Sequence, residues 1–252
     1  MSARDAPSLY EPLNELKAFA PRIGIVDGPF EYVSMLGIKL PWPFTTRMTV
    51  VQLGNGGLFL HSPVAFDATL AENLRSMGEV RHLVSPNRGH YAHIGKWAQA
   101  FPEAVTWASP GVRERARSQR IDVSFQKDLE ANAPPDWQDE MDQIIIPGAI
   151  LDEVVFFHRE SKTLILADTV MNFELGKMRQ PYRLIARLSG IYAPLGGMPI
   201  DMRLAFWPRR REVKSVIENI LSWYPERIVL SHGRCFDSNA SKAIRRAFGW
   251  AL

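Results

Sequence analysis

Short apolar runs recur along this chain at strand length, with helical periods between them, and several end on a titratable side chain. Residues 22–27 (RIGIVD), 48–53 (MTVVQL) and 58–61 read as strands, the last two joined by a tight turn at Asn55-Gly56-Gly57. Pro41-Trp42-Pro43 interrupts regular structure and reads as a loop. Asp67 is placed to cap a helix over 68–77 that stops at Gly78. A strand at 80–84 is followed by a segment, 85–95, that opens a helix toward Phe101. Then come a strand at 104–108 and a basic helix at 111–119. The polar stretch 128–142, with Pro134-Pro135, reads as a surface excursion. Three strands follow closely, at 143–146, 153–158 and 163–167. The remainder reads as a helix over 182–192, a Pro/Gly-rich lid over 191–199, an amphipathic helix over 212–223, a strand at 227–230 and a closing helix at 237–248. Hairpins therefore occur in both halves with helices between them. That pattern predicts an α/β fold in which two mixed β-sheets pack face to face under outer helices, as one domain spanning 1–252.

Composition narrows the function classes. A chain of 252 residues that is 46% hydrophobic and 23% charged is ordinary for a globular domain, and its length supports a sizeable core. The net charge of +3 comes without a basic stripe interleaved with aromatics, so no nucleic-acid partner is expected. The densest cationic run, Arg209-Arg210-Arg211, reads as a solvated helix start. No apolar stretch has the length of a membrane span and the N-terminal residues carry no apolar leader core, so no membrane partner is expected. Cys235 is the single cysteine, which rules out an internal disulfide and fits a reducing, cytoplasmic setting. The expected partner is a small-molecule substrate; the sequence does not decide the oligomeric state.

Three features bear on chemistry. His90-Tyr-Ala-His93 follows the strand at 80–84, and its two imidazoles share a face if a helix begins near His90. Two neutral imidazoles side by side suit a transition-metal ion. Asp168 ends the run Leu164-Ile-Leu-Ala167, and His232 ends Ile228-Val-Leu-Ser231 just before Gly233. Each has a purely structural explanation when taken alone: a surface pair, a turn cap, a core histidine. His61, at a strand end, reads as packing, with a place lining the pocket as the alternative, and His82 and His158 carry no motif support. Trp42, Trp97, Trp107, Trp207 and Trp223 read as core or pocket walls.

Taken together, strand–His-x-x-His–helix, a hairpin ending in Asp, and a final strand–His-Gly resemble the metallo-β-lactamase superfamily from about residue 22 to 248. Pro86-Asn-Arg-Gly-His90 combined with Phe101-Pro-Glu-Ala104 also resembles a degenerate branch of this superfamily. The resemblance implies a four-layer αββα sandwich. It also implies that His93, Asp168 and His232 form one metal site, with His90 belonging to a neighbouring one. The departures matter as much. Arg88 stands where the family's first histidine would be, Ala92 replaces an Asp, and Ala149 stands in a loop that ordinarily supplies a histidine. Arg is always cationic and Ala has no donor, so the set supports at most one divalent metal, zinc before iron or manganese. The resemblance then implies a hydrolase of an ester, thioester, amide or phosphoester, with His90, Arg88 and Asp168 as catalytic groups. Arg88 would steady an oxyanion or pair with Asp168, and a carboxylate from Asp152 or Glu153 is a minor alternative ligand. The competing reading is a metal-free pseudo-enzyme or small-ligand binder on the same fold.

Overall fold

The computed structural model describes residues 8–35, 38–149 and 151–252, and side chains throughout these except over 33–42. The readings of the first seven residues and of the Trp42 side chain lie outside the described residues.

Eleven strands and seven α-helices follow one another in the described chain. The first sheet runs β1 (Leu16–Ala20), β2 (Ile23–Met35), β3 (Ile38–Gln52), β4 (Leu58–His61), β5 (Val80–Ser85), β6 (Val105–Ala108) and β7 (Lys127–Asp128), side by side in that order. It is antiparallel up to β4 and parallel thereafter. The second sheet has the order β11-β10-β9-β8, from β8 (Met141–Ile146), β9 (Glu153–His158), β10 (Thr163–Leu166) and β11 (Arg227–Leu230). Its last pair, β10–β11, is parallel. Helices α1 (Ala68–Met77), α2 (Ile94–Ala100) and α3 (Val112–Ser118) belong to the first half. Helices α4 (Tyr182–Ser189), α5 (Ile200–Phe206), α6 (Arg210–Ser222) and α7 (Ala240–Ala247) belong to the second.

Strand alternation builds the four layers. On β4, Leu58 and Leu60 pack with α1 and α2, while Phe59 faces the other sheet. On β9, Val155 and Phe157 pack with α6, while Val154 and Phe156 face inward to meet Phe59. The same split divides Leu164 and Leu166 from Ile165, and Ile228 and Leu230 from Val229. An interior seam between two sheets, with a helical layer outside each, is the αββα sandwich.

Four expectations need correction. The prolines at 41 and 43 do not break the chain: β3 runs through them, with Pro43 opposite Tyr32, and the register slips beside that pair. A bulged ribbon tolerates a residue that cannot donate. The stretch 128–142 is no surface excursion, because Leu129 and Trp137 are buried, with Trp137 set edge-on to Phe59 and Trp107. The helix expected over 182–192 ends at Ser189, where Gly190 takes φ +71°, and α5 begins at Ile200, where no element was expected. The residues between are docked rather than lid-like. Gly197 pairs with Met171, Tyr192 pairs with Phe173, and Ile191 and Met198 are buried.

Candidate functional site

Asp168 and His232 meet because their strands are paired. Leu166 of β10 is in register with Leu230 of β11, and each reactive residue follows two positions later. Parallel strands leave their carboxyl ends at one edge, where loops open a crevice. The ends of β4 and β5 bring His61, Ser62 and the loop 86–90 to the same edge. Val154 N–H donates to the Pro86 carbonyl at 2.9 Å, which joins that loop to the second sheet.

The centre is the Asp168 carboxylate. His232 Nε2 lies 3.0 Å from its Oδ1, and His90 Nε2 lies 3.2 Å from its Oδ2. One ligand atom from each of the three residues falls within 4.8 Å of the others. Both imidazoles are held from behind. His232 Nδ1–H donates to the Thr45 carbonyl at 2.6 Å, and His90 Nδ1 meets the Ser62 hydroxyl at 2.5 Å. A carbonyl can only accept, so the remaining nitrogen of a neutral His232 is Nε2, the atom aimed at Asp168. Asp168 itself receives the Asn87 amide at 2.8 Å. Behind it, Glu153 is fully buried and accepts the N–H groups of Ala167, Asp168 and Thr169 and the Thr169 hydroxyl. The chain turn that presents Asp168 is thus pinned by a second carboxylate.

The electrostatics follow from this packing. Burial pushes the Asp168 carboxyl up, but the charge of His90 and the hydrogen bonds from His232 and His90 outweigh it and hold it well below the usual carboxylate range. Burial likewise pushes His90 down, and the charge and hydrogen bond of Asp168, with Glu153 and Glu31, bring it above the ordinary histidine value. Burial and the adjacent Asp168 raise Glu153 against the pull of its amide donors. His61, at the end of β4, is fully buried and set edge-on to Phe156, and burial together with the charge of His90 takes it down to about 3.

The loop carrying His232 is clamped by a residue the sequence did not single out. Arg47, 3% exposed, donates from Nη1 to the carbonyls of Leu230 (2.8 Å) and Gly233 (2.6 Å). Its Nη2 pairs with Asp27 Oδ1 at 2.6 Å, and Lys17 covers the other oxygen of Asp27 at 2.8 Å. Gly233 then turns the chain at φ +90°, so close to Asn172 that a Cβ there would sit 2.3 Å from the Asn172 carbonyl.

The expected site residues do not all converge. His90, Asp168 and His232 do. His93 does not join them: α2 starts at Ile94, so the two histidines of the motif share no helix face, and His93 Nε2 bonds instead to Glu31. Glu31 nonetheless lies within electrostatic reach of His93, His90 and His232, which puts the pair at the rim of the same centre. Arg88 does not pair with Asp168, whose charged partners among the described residues are the two histidines. Its guanidinium lies against Gly111, whose φ of +73° and missing Cβ make the room. Asp152 turns away to accept the Gly148 N–H and face Arg209. Ala149 donates its N–H to the Ala205 carbonyl. Asn87, Glu31, Thr45 and Ser62 were missed. Only Asn87 had a sequence signal, its place between a strand end and Arg88-Gly89 in the loop that leads to His90.

The donor set can be tested against a metal on its chemistry. Two imidazole Nε2 atoms with their Nδ1 atoms already bonded, and one carboxylate with its turn fixed, are the N/O ligands a mononuclear zinc-type site uses. The residues fit.

Residues 35–179, more than half of the chain, match the family model described as "Domain of unknown function (DUF4336)". The chain belongs to this family. The DUF4336 match carries His90, His93 and Asp168, while His232 follows it. No curated protein sequence matches the chain. Solved structures similar to this DUF4336 chain include the DIM-1 metallo-beta-lactamase, at 15% identity and TM-score 0.64, covering 98% of this chain and 100% of that one. The metallo-beta-lactamase from Hirschia baltica is 13% identical with TM-score 0.60, covering 94% and 97%. FIM-1 from Pseudomonas aeruginosa in its mono-zinc form is 13% identical with TM-score 0.62, covering 98% and 96%. The likeness runs over the whole length and shows a metallo-β-lactamase-like fold.

Proposed function

We propose that this DUF4336 chain is a metal-dependent hydrolase with one divalent cation, zinc first, held by His90, Asp168 and His232. The convergence of those three side chains at the carboxyl ends of paired strands carries the reading. Solved relatives in fold include a metallo-beta-lactamase determined with a single zinc, which supports one cation as a workable complement for this architecture. The ligand set departs from the sequence expectation in one respect: His90 takes the place assigned to His93.

A divalent cation bound there supplies Lewis acidity, polarising a carbonyl or phosphoryl group and acidifying water. The chain's own residues do the rest. Thr45 and Ser62 fix the imidazole orientations, and Glu153 and Asn87 fix Asp168. In this reading His93 and Glu31, bonded to each other at the rim, take and return a proton. Substrates are small esters, thioesters, amides or phosphoesters. Arg88, lying over Gly111, is assigned no step.

The second reading has an observation of its own. Asp168 is already matched by two imidazoles and an amide, a closed hydrogen-bonded cluster that needs no cation and could serve a metal-free binding protein. Elemental analysis of protein purified without chelator separates the two. The hydrolase reading expects close to one bound zinc-type ion per chain, lost in His232→Ala and in Asp168→Ala. It also expects hydrolysis of generic esters that a chelator abolishes. Wild-type protein that takes up no metal even from added zinc, or variants that retain full occupancy, would overturn it.

A further inference from the structure

The charge of this chain is not spread evenly. Between residues 175 and 211 there are eight Lys and Arg and one acid, Asp201, while the rest of the chain has 22 basic and 26 acidic residues. Among the described residues, the same segment carries most of the large apolar side chains that face solvent. On α4, Tyr182 and Ala186 are buried, whereas Leu184 is 53% and Leu188 74% exposed, with Ile185 beside them. On α5, Phe206 is buried, whereas Ile200 and Leu204 (69% exposed) lie one turn apart on the outer side, followed by Trp207. The helices adjoin: Arg203 of α5 donates to the carbonyl of Ser189, at the end of α4, at 3.4 Å. Single exposed leucines are ordinary, but a group on two adjoining short helices marks an interaction surface.

We propose that α4 and α5 dock this protein on an anionic phospholipid surface, with the leucines and Trp207 entering the headgroup boundary and the exposed Arg187, Arg210 and Arg211 meeting lipid phosphates, since Arg183 and Arg203 are held by main-chain carbonyls and Arg209 by Glu212. Charge decides between occupants. A symmetric pair of copies would set this patch against itself, bringing two strongly cationic segments together. A negatively charged bilayer complements both properties at once: it solvates apolar side chains and attracts cations within a Debye length. Trp207, stacked on Trp250 and overlaid by Arg210, is the kind of amphipathic ring that settles at such a boundary. The absence of a span, which made a membrane partner unexpected from sequence, does not bear on this mode. A helix that lies on a membrane need not cross it.

Vesicle co-sedimentation of the full chain tests the proposal, with phosphatidylcholine alone and with roughly one-third phosphatidylserine added. Binding to the mixed vesicles is expected to be about tenfold or more tighter than to neutral ones, and to weaken as salt is raised. Leu188→Gln combined with Leu204→Gln, at an unchanged melting temperature, is expected to lower binding about tenfold, and Arg187→Gln to weaken it less. Should the double variant fail to fold, Leu184→Gln is read the same way. No binding to anionic vesicles, or undiminished binding by the folded leucine variants, overturns the proposal. A wild-type dimer in light scattering that Leu188→Gln with Leu204→Gln converts to monomer also overturns it, by assigning the surface to a second copy. Binding only to an acidic protein partner and not to vesicles overturns it equally.

Discussion

Gly233 shows how much of the site rests on single backbone positions. Its φ of +90° and its approach to Asn172 let the chain turn immediately after His232 while Arg47 grips the carbonyls on either side. A methyl group there meets main-chain atoms, which cannot swing aside. Gly233→Ala is expected to cost about 2–3 kcal/mol of stability in urea denaturation. It should also loosen His232, seen as a larger loss of metal uptake than the stability change alone gives. At this scale the sequence was informative but incomplete. Asp168, His232 and Gly233 stood at strand ends, where their meeting at one edge could be read. His93 could not be placed, because the spacing of His90 and His93 does not say where the helix begins, and a start at Ile94 leaves His90 in the loop beside Asp168 and turns His93 to Glu31. Arg47, and the holding role of Glu153, which was expected only as a minor ligand candidate, were hidden for a different reason. Their roles come from contacts with residues more than a dozen positions away, or on the opposite sheet, that no local pattern records.

Among the elements, most strands were legible because alternation and turn residues are local, and the long helices because their periods are, but β1 and β7 and the outer halves of β2 and β3 were not assigned. The segment 128–142 was not legible either. Its polarity and its two prolines describe a loop, yet that loop drops Trp137 into the seam between the sheets, against Phe59, His82, Trp107 and Phe156. Trp137 is fully buried and its indole N–H has no hydrogen-bond partner among the described residues. Trp137→Ala is therefore expected to cost about 3–5 kcal/mol. Trp137→Phe should cost much less, because it keeps most of the packing and removes an unsatisfied donor. Chemical denaturation of the two variants checks this; equal losses would mean that the indole nitrogen is satisfied after all. The boundary between α4 and α5 was unreadable for want of periodicity, since helices of two turns give a window too short to separate from a loop.

The whole molecule carries an acid sensitivity set by its interior. His82 is buried between Trp107 and Trp137 and accepts the Trp107 indole N–H through Nδ1 at 3.2 Å, which requires the neutral ring. Burial, only partly offset by Asp136, lowers it to about 4. The unfolded chain takes up this proton near the ordinary histidine value of 6.5, and the folded chain not until about 4. The unfolded state therefore binds more protons between those values, and stability falls as pH drops through that window, by ~3 kcal/mol for this residue alone. His61 acts in the same direction down to about 3. Melting temperatures between pH 7 and 4 should show the decline, and His82→Gln, which keeps an acceptor but cannot titrate, should flatten it at the expense of some stability near neutrality. A wild-type melting temperature constant over that range would contradict the assignment. The four-layer architecture itself was legible in the order of hairpins and helices, since two sheets with apolar runs on both faces must be covered on both sides.

The parallel pairing of β10 and β11 also has a temporal side. Asp168 and His232 stand two residues beyond paired positions, but residues 169–231 are synthesised between them. A chain still emerging from the ribosome presents His90 and Asp168 long before their third companion exists. The cluster closes only when β11 slides in beside a neighbour made much earlier, so maturation of the centre waits for the synthesis of that strand.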